Sequence, residues 1–375
     1  MTSPLRLRYN SFLYFEGHIL QQPSLRYQIA QMLLLGFEGT QIEDHNPIAK
    51  AISEEGIGGV ILFDYDYQTK EFGKNIQNPE QVKQINHRLQ TLNTQARQHD
   101  QQPLLPLIIS VDYEGGKVNR LKESYGFPST LSAVEAGKLS AEEASQAANT
   151  MAETLVQLGF NLDFAPVVDV NVYTDNPILG KLDRCFSSDP QKVTDYAKIY
   201  TQAFDKHQIH SCYKHFPGHG SSVADSHLGF ADVTDTWQDY ELLPYQALSQ
   251  DPHACQMIMT AHIINRKLDA TGLPATLSYA ILTELLRKKL QYQGIIITDD
   301  MQMKAIADHY NMEAAITLAI NAGADMIIFG NQLSATIQDS KSIIDYIESE
   351  VRAGKIAEET IQQAYARIVK FKSRY

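Results

Sequence analysis

The sequence predicts a (β/α)8 barrel built as one domain. Two observations carry that expectation. Eight short apolar runs alternate with longer helix-like segments along the 375-residue chain, as repeated strand–helix units require. At least five of these runs end in charged or hydrogen-bonding residues, and such barrels gather the C-terminal ends of their strands at one mouth. The runner-up is a doubly wound open sheet. Against it, no run is followed by the G-x-G-x-x-G phosphate turn that such sheets often carry.

The predicted strands are Met32–Phe37, Gly59–Phe63, Leu107–Val111, Leu162–Val170, His210–His215, Met257–Ile264, Gly294–Thr298 and Ala324–Phe329. Several, such as VILF, LIISV and GIIIT, are continuously apolar, which suits strands buried on both faces of a parallel sheet. Between them, Pro79 to Gln98 starts with a proline where a first helical turn tolerates it. Ala141 to Leu158 spaces its apolar residues three and four apart and ends at Gly159. Asp189 to His207 opens on Asp-Pro and Ser278 to Leu290 on a serine cap. Met312 to Ala322 precedes Gly323, and Ile356 to Phe371 closes the chain as an amphipathic helix. Residues 1–25 show no clear period and read as an N-terminal arm, with 26–375 as the barrel.

Composition narrows the function. Apolar residues make up 43% and charged residues 20%, with a formal net charge of −12. A chain this acidic is a poor partner for nucleic acid or an anionic membrane surface. Its three cysteines, Cys185, Cys212 and Cys255, form neither a disulfide framework nor a zinc spacing. No apolar run reaches the ~18–20 residues that span a bilayer, and the apolar patch Phe12 to Phe15 stops at Glu16, too short for a secretory signal. The expectation is a soluble cytoplasmic protein. Nothing in the sequence sets its oligomeric state.

The polar residues concentrate after the predicted strands. LIISV is followed by Asp112-Tyr113-Glu114-Gly115-Gly116 and then Arg120; LDFAPVVDV by Asn171; MIMTA by His262; GIIIT by Asp299 and Asp300. HSCY leads into the densest stretch, which carries Lys214, His215, His219, Asp225 and His227. Carboxylates, cations and histidines converging on one mouth suit a polyhydroxylated substrate. Glycoside hydrolysis in its usual form needs one carboxylate at the oxocarbenium centre and a second group as proton donor. Asp299 and Asp300 both fit the first role, and spacing does not separate them. In Asp225-Ser226-His227 the i and i+2 side chains of an extended segment face the same way. The carboxylate there either polarises the imidazole for proton transfer or merely ties down a surface loop. His215, His219, Asp225 and His227 also have the side chains of a metal site. Pro217 and Gly218 break the helix that an i, i+4 histidine pair needs, so no metal and no cofactor are expected.

KHFPGHG followed by ADSH resembles the signature of the β-N-acetylglucosaminidases of glycoside hydrolase family 3, the bacterial peptidoglycan-recycling enzymes. VDYEGGKVNRL, LGFNLDFAPVVDVN, DRCFSSDP, LPATLSYAILTELLRKKLQYQGIIITDDMQMKAI and AGADMIIF are similar to further family segments in order, over roughly residues 27 to 330. The resemblance implies a (β/α)8 barrel and a retaining two-step reaction that removes terminal β-GlcNAc from muropeptides. It implies Asp299 as nucleophile, His227 as general acid/base and Asp225 as the residue that orients it. Asp112, Arg120, Arg184, Lys214 and His215 match the family's sugar contacts. Another β-glycoside, transfer to phosphate instead of water, and a sugar-binding barrel without turnover are the alternatives. Three departures stand out: Gly220-Ser221-Ser222 where the family usually reads G-D-T, LDRCF where R-S-F is commoner, and a longer, more charged segment at Asp64 to Asn78. His219 reads as a loop-bracing residue, and Cys212 and Cys255 as small core residues.

Overall fold

The computed structural model describes residues 14–15, 18–19, 23–100, 102–224, 229, 231–251, 255–334 and 336–375. Its centre is a parallel sheet of nine strands: β1 (Leu33–Gly36), β2 (Gly59–Ile61), β3 (Ile108–Val111), β4 (Leu162–Asp163), β5 (His210–Ser211), β6 (Tyr213–Phe216), β7 (Met257–Thr260), β8 (Ile295–Asp300) and β9 (Met326–Phe329). The hydrogen-bonded order is β5-β4-β3-β2-β1-β9-β8-β7-β6. The two outer strands are halves of one run, separated only by Cys212. β5 pairs with β4 through Leu162 opposite His210, and β6 pairs with β7 through Tyr213 opposite Ile258. Both edges of the sheet thus meet in one stretch of chain, and the sheet closes as a barrel of eight strand positions, as the alternation of elements predicts.

The strands are continuously apolar because they are buried on both faces. Leu33, Leu34, Val60, Ile109, Met257, Ile296, Ile297 and Ile327 are all fully enclosed, each contributing about 1.5–3 kcal/mol relative to exposure. The predicted strand Leu162–Val170 is regular only at β4. Past the cis Ala165–Pro166 bond, the chain still runs beside β6, with Cys212 N donating to Ala165 O and Val168 N to Lys214 O, both 2.9 Å.

The outer layer comprises α1 (Leu25–Gln31), α2 (Pro79–His99), α3 (Ala141–Leu158), α4 (Pro190–Lys206), α5 (Leu243–Ser249), α6 (Met312–Ala322), α7 (Ser340–Arg352) and α8 (Glu358–Lys372). Their starts are set locally. Asn78 and Asp189 cap α2 and α4, and Ser140 with Glu143 forms a reciprocal capping box on α3, each satisfying otherwise orphaned amides. Ala280–Lys289 is wound with the wider i→i+5 spacing, and Ser278 Oγ accepts the Ile281 amide at its start. α1, α5 and α7 were not expected. α7 carries a legible stripe, Ile343, Ile344 and Ile347, behind an Asp339 cap. Lys372 at the end of α8 is buried, donating to Gln31 Oε1 at 2.8 Å and Gly58 O at 2.7 Å, which seals the last helix to α1 and the start of β2. No helix among the described residues is long and apolar enough to cross a membrane.

Candidate active site

The C-terminal ends of the strands open into one cavity of about 690 Å³, lined by Asp112, Arg120, Arg184, Lys214, His215 and Asp299, among others. That volume lies in the usual range for a small-molecule site. Its floor is built from the end of β3. Asp112 and Glu114 lie two residues apart, and both carboxylates reach Lys214 Nζ, at 2.8 and 2.6 Å. A tight hairpin then returns the chain: Tyr113–Gly115 pairs antiparallel with Val118–Asn119, turning at Gly115 and Gly116 with φ of +91° and +58°. A Cβ on Gly115 would meet Leu131 O at 2.2 Å, so glycine is required there on two counts. The return brings Arg120 back over Asp112, where Nη2 stands 3.7 Å from Oδ2.

Arg184 arrives from the loop after β4. Its Nε and Nη2 donate to the two oxygens of Glu114, both at 2.7 Å, and Nη1 donates to Ile178 O at 2.9 Å. Burial alone would raise the pKa of Glu114, but the charges and hydrogen bonds of Arg184 and Lys214 outweigh it and hold the carboxyl well below the usual carboxylate range. Burial likewise opposes the charge on Lys214, and Asp112 and Glu114 reverse that, raising its pKa. These fixed charges cost no reorganisation when a polar ligand enters.

The cis-linked pair Lys214–His215 carries the second part of the site. His215 Nδ1 lies 2.7 Å from Asp169 Oδ2, and its Nε2 lies 3.3 Å from Arg184 Nη2. Arginine only donates, so Nε2 accepts and the proton sits on Nδ1, facing Asp169. Asp169 also accepts the amides of His215 at 3.1 Å and His219 at 2.8 Å. Burial pushes its pKa up, and the two histidines more than offset this, leaving it lowered. The His219 amide braces the turn through Asp169, the residue lines the cavity, and burial pushes its pKa down to about 4.

β8 delivers Asp299 and Asp300 in succession, and the structure gives them different surroundings. Asp300 Oδ1 accepts the amides of Gln302 and Gly330, both at 3.0 Å. Those bonds tie its carboxylate to the turn after β8 and to the end of β9. Asp299 Oδ1 accepts a local bond, 2.8 Å, from the Asp300 amide, and both residues line the cavity with Asp112 and Lys214. His262 lies between Thr276 Oγ1 at 2.8 Å and Asp300 O at 2.9 Å, a bracing position away from the cavity lining.

The loop 217–224 is clamped from below. Asn176 Nδ2 donates to His219 O at 2.9 Å, and Glu241 Oε2 accepts the Ser221 amide at 3.3 Å. A Cβ on Gly220 would meet Val170 O at 1.6 Å, so the loop lies directly on the end of the fourth strand position. Glu241 is enclosed, and burial raises its pKa to about 7. Asp225 and His227, the expected proton-transfer pair, lie outside the described residues.

Six of the eight residues singled out from the sequence therefore share one cavity. Glu114, Asp169 and Glu241 were not singled out. Glu114 was legible two positions beyond Asp112 on the same strand end, and Asp169 sits within LDFAPVVDV. Glu241 carries no local pattern linking it to a loop twenty residues earlier. Among the described residues, no group of three or more histidine, cysteine or acidic side chains is placed to hold a metal ion.

The mouth of the closed parallel barrel thus gathers strand-end carboxylates with paired acids and cations. The chain belongs to glycosyl hydrolase family 3: the family's N-terminal domain model matches residues 24–371. A β-hexosaminidase of Haemophilus influenzae is 33% identical over 82% of this chain and 81% of its own length. β-Hexosaminidase A of Pseudoalteromonas piscicida is 32% identical over 87% of this chain. Among solved structures, a family 3 β-N-acetylglucosaminidase from Paenibacillus superposes with a TM-score of 0.82 at 30% identity over 94% of this chain. LpqI of Mycobacterium tuberculosis gives 0.77 at 28% identity, covering 94% of both chains. The chain spans 55% of the Pseudoalteromonas protein and 63% of the Paenibacillus chain.

Proposed function

We propose that this chain is a retaining, exo-acting β-N-acetylglucosaminidase that removes terminal non-reducing β-GlcNAc from peptidoglycan fragments, acting in the cytoplasm. The observation that carries the reading is the pair of carboxylates at the end of β8: both line the cavity, and Asp300 has one oxygen tied by the amides of Gln302 and Gly330, which favours Asp299 as the nucleophile. The hexosaminidase names of the relatives support the choice of sugar, and the D-S-H element supports the acid/base.

In the proposed reaction an Asp299 carboxylate oxygen attacks the anomeric carbon while His227, oriented by Asp225, gives its proton to the departing glycosidic oxygen. The C1–O bond breaks and a glycosyl ester forms. Water then attacks the same carbon, His227 takes its proton, and Asp299 leaves as carboxylate. Asp112 accepts hydrogen bonds from sugar hydroxyls, and the cations of Arg120 and Lys214, with Arg184 behind them, donate to hydroxyl or acetamido oxygens. The muropeptide substrate rests on the family resemblance alone.

The test is turnover of 4-nitrophenyl β-GlcNAc, β-glucoside and β-xyloside, with and without phosphate. Strong preference for GlcNAc with no phosphate dependence supports the reading. A sugar phosphate product would make the enzyme a phosphorylase, and saturable binding without turnover of any of the three would leave a sugar-binding barrel.

A further inference from the structure

The segment after β2 places an aromatic wall on the rim of the cavity. Tyr65–Asp66 pairs antiparallel with Glu71–Phe72, so residues 64–72 stand up as a hairpin. Its rings pack on each other: Tyr65 lies 5.0 Å from Tyr67 and 4.9 Å from Phe72, and Phe72 lies 6.3 Å from Tyr125. Lys122 Nζ sits 4.7 Å from the Phe72 centroid while pairing with the buried Asp64 at 2.5 Å. On the other side Gln332 Nε2 donates to Tyr65 O at 2.9 Å. The hairpin is therefore fixed at both flanks, yet Tyr67 is 52% and Phe72 64% exposed. Tyr67 and Gln68 line the same cavity as Asp299 and Asp112.

Solvent-facing aromatic rings held rigid beside a polar cavity are an unsatisfied apolar surface at a binding site. A pyranose complements them, because one face of the ring presents C–H groups while its hydroxyls point outward to polar partners such as Gln68 and Lys117. The charged floor of the cavity takes the hydroxyl-rich terminal sugar. What leaves an exo-acting site must project through the rim, and the rim is where Tyr67 stands. We infer that the 64–72 hairpin is the platform for the leaving-group sugar, with Tyr67 as a specificity-determining residue. This rests on the glycosidase reading above and adds the second sugar to it.

The test compares two substrates that share the terminal GlcNAc: chitobiose, with a sugar leaving group, and β-GlcNAc azide, with none to stack. Nitrophenyl glycosides are unsuitable, because their aryl ring would stack as well. In Tyr67→Ala the ratio of kcat/KM for chitobiose over azide falls about tenfold, mainly through KM, Tyr67→Phe restores it, and Phe72→Ala shows a smaller fall. A ratio within twofold of wild type in Tyr67→Ala overturns the platform. Should the wild type cleave neither substrate, the glycosidase reading fails, and the platform is judged by saturation-transfer NMR of chitobiose on the Asp299→Asn protein. There, saturation of the reducing-end ring protons that disappears when Tyr67→Ala is added supports it, and undiminished or absent reducing-end saturation overturns it.

Discussion

Arg184 grips Glu114 through two parallel bonds of 2.7 Å to the two oxygens of one buried carboxylate. The same carboxylate accepts from Lys214, so one acid organises two cations at the floor of the cavity, and through Lys214 it is coupled to Asp112.

Glu114→Gln leaves two buried cations short of a counter-charge. Removing one partner of a buried pair costs about 3–5 kcal/mol, so denaturant midpoints at pH 7 fall strongly and activity is lost with them. The folded pKa of Glu114 lies below its unfolded value of about 4.3. Its contribution is therefore present above that pH and lost as pH falls through the folded value. The stability curves of wild type and variant converge only below about pH 4.

Arg184→Lys keeps the charge and loses the fork. A lysine cannot serve both Glu114 oxygens, Ile178 O and His215 Nε2 together. The expected cost is about 2 kcal/mol, with at least a tenfold drop in kcat/KM. Wild-type activity in this variant would show that the bidentate geometry has no part in the reaction.

Glu241 lies beneath the loop that leads to His227, with its pKa raised to about 7. A raised folded pKa means the native state holds the proton longer than the unfolded chain does. Its contribution is full below about pH 4.5 and is lost as pH rises through 7. Glu241→Gln removes this slope, and thermal scans between pH 4.5 and 8 check it. The wild type should lose on the order of 2 kcal/mol relative to the variant over that window. Parallel curves would mean that Glu241 is not the titrating group.

His227→Ala should harm poor leaving groups most, since they need the proton. Chitobiose turnover is expected to fall by about 10²–10⁴-fold, and 2,4-dinitrophenyl β-GlcNAc, which departs unprotonated, by far less. Equal losses would remove His227 from the acid role.

Much of this architecture is written locally. The buried parallel strands appear as VILF, LIISV and GIIIT, and the helix starts appear as Pro79, Asp189-Pro190 and Ser278. Asp112, Lys214 and Asp299 were legible because a barrel sends every strand end to one mouth. The choice between Asp299 and Asp300 was not legible from spacing. The feature that favours Asp299 in the proposed reaction, the amides of Gln302 and Gly330 on Asp300, draws its second member from the end of another strand. Glu241 and Asp169 escaped for the same reason: each acts on the loop 215–222 across a distance in sequence that no local period encodes. The aromatic hairpin showed in the sequence only as a segment longer and more charged than usual. Its exposure and its place on the rim emerge only from the closed barrel.

In the proposed reaction Asp299 becomes covalently bonded to the sugar. A 5-fluoro β-GlcNAc fluoride slows the second step so that the intermediate accumulates, and peptide mass spectrometry then locates the label. The expected result is a single labelled peptide with the adduct on Asp299, absent from Asp299→Asn. An adduct on Asp300, or steady turnover of β-GlcNAc substrates by Asp299→Asn, would contradict it.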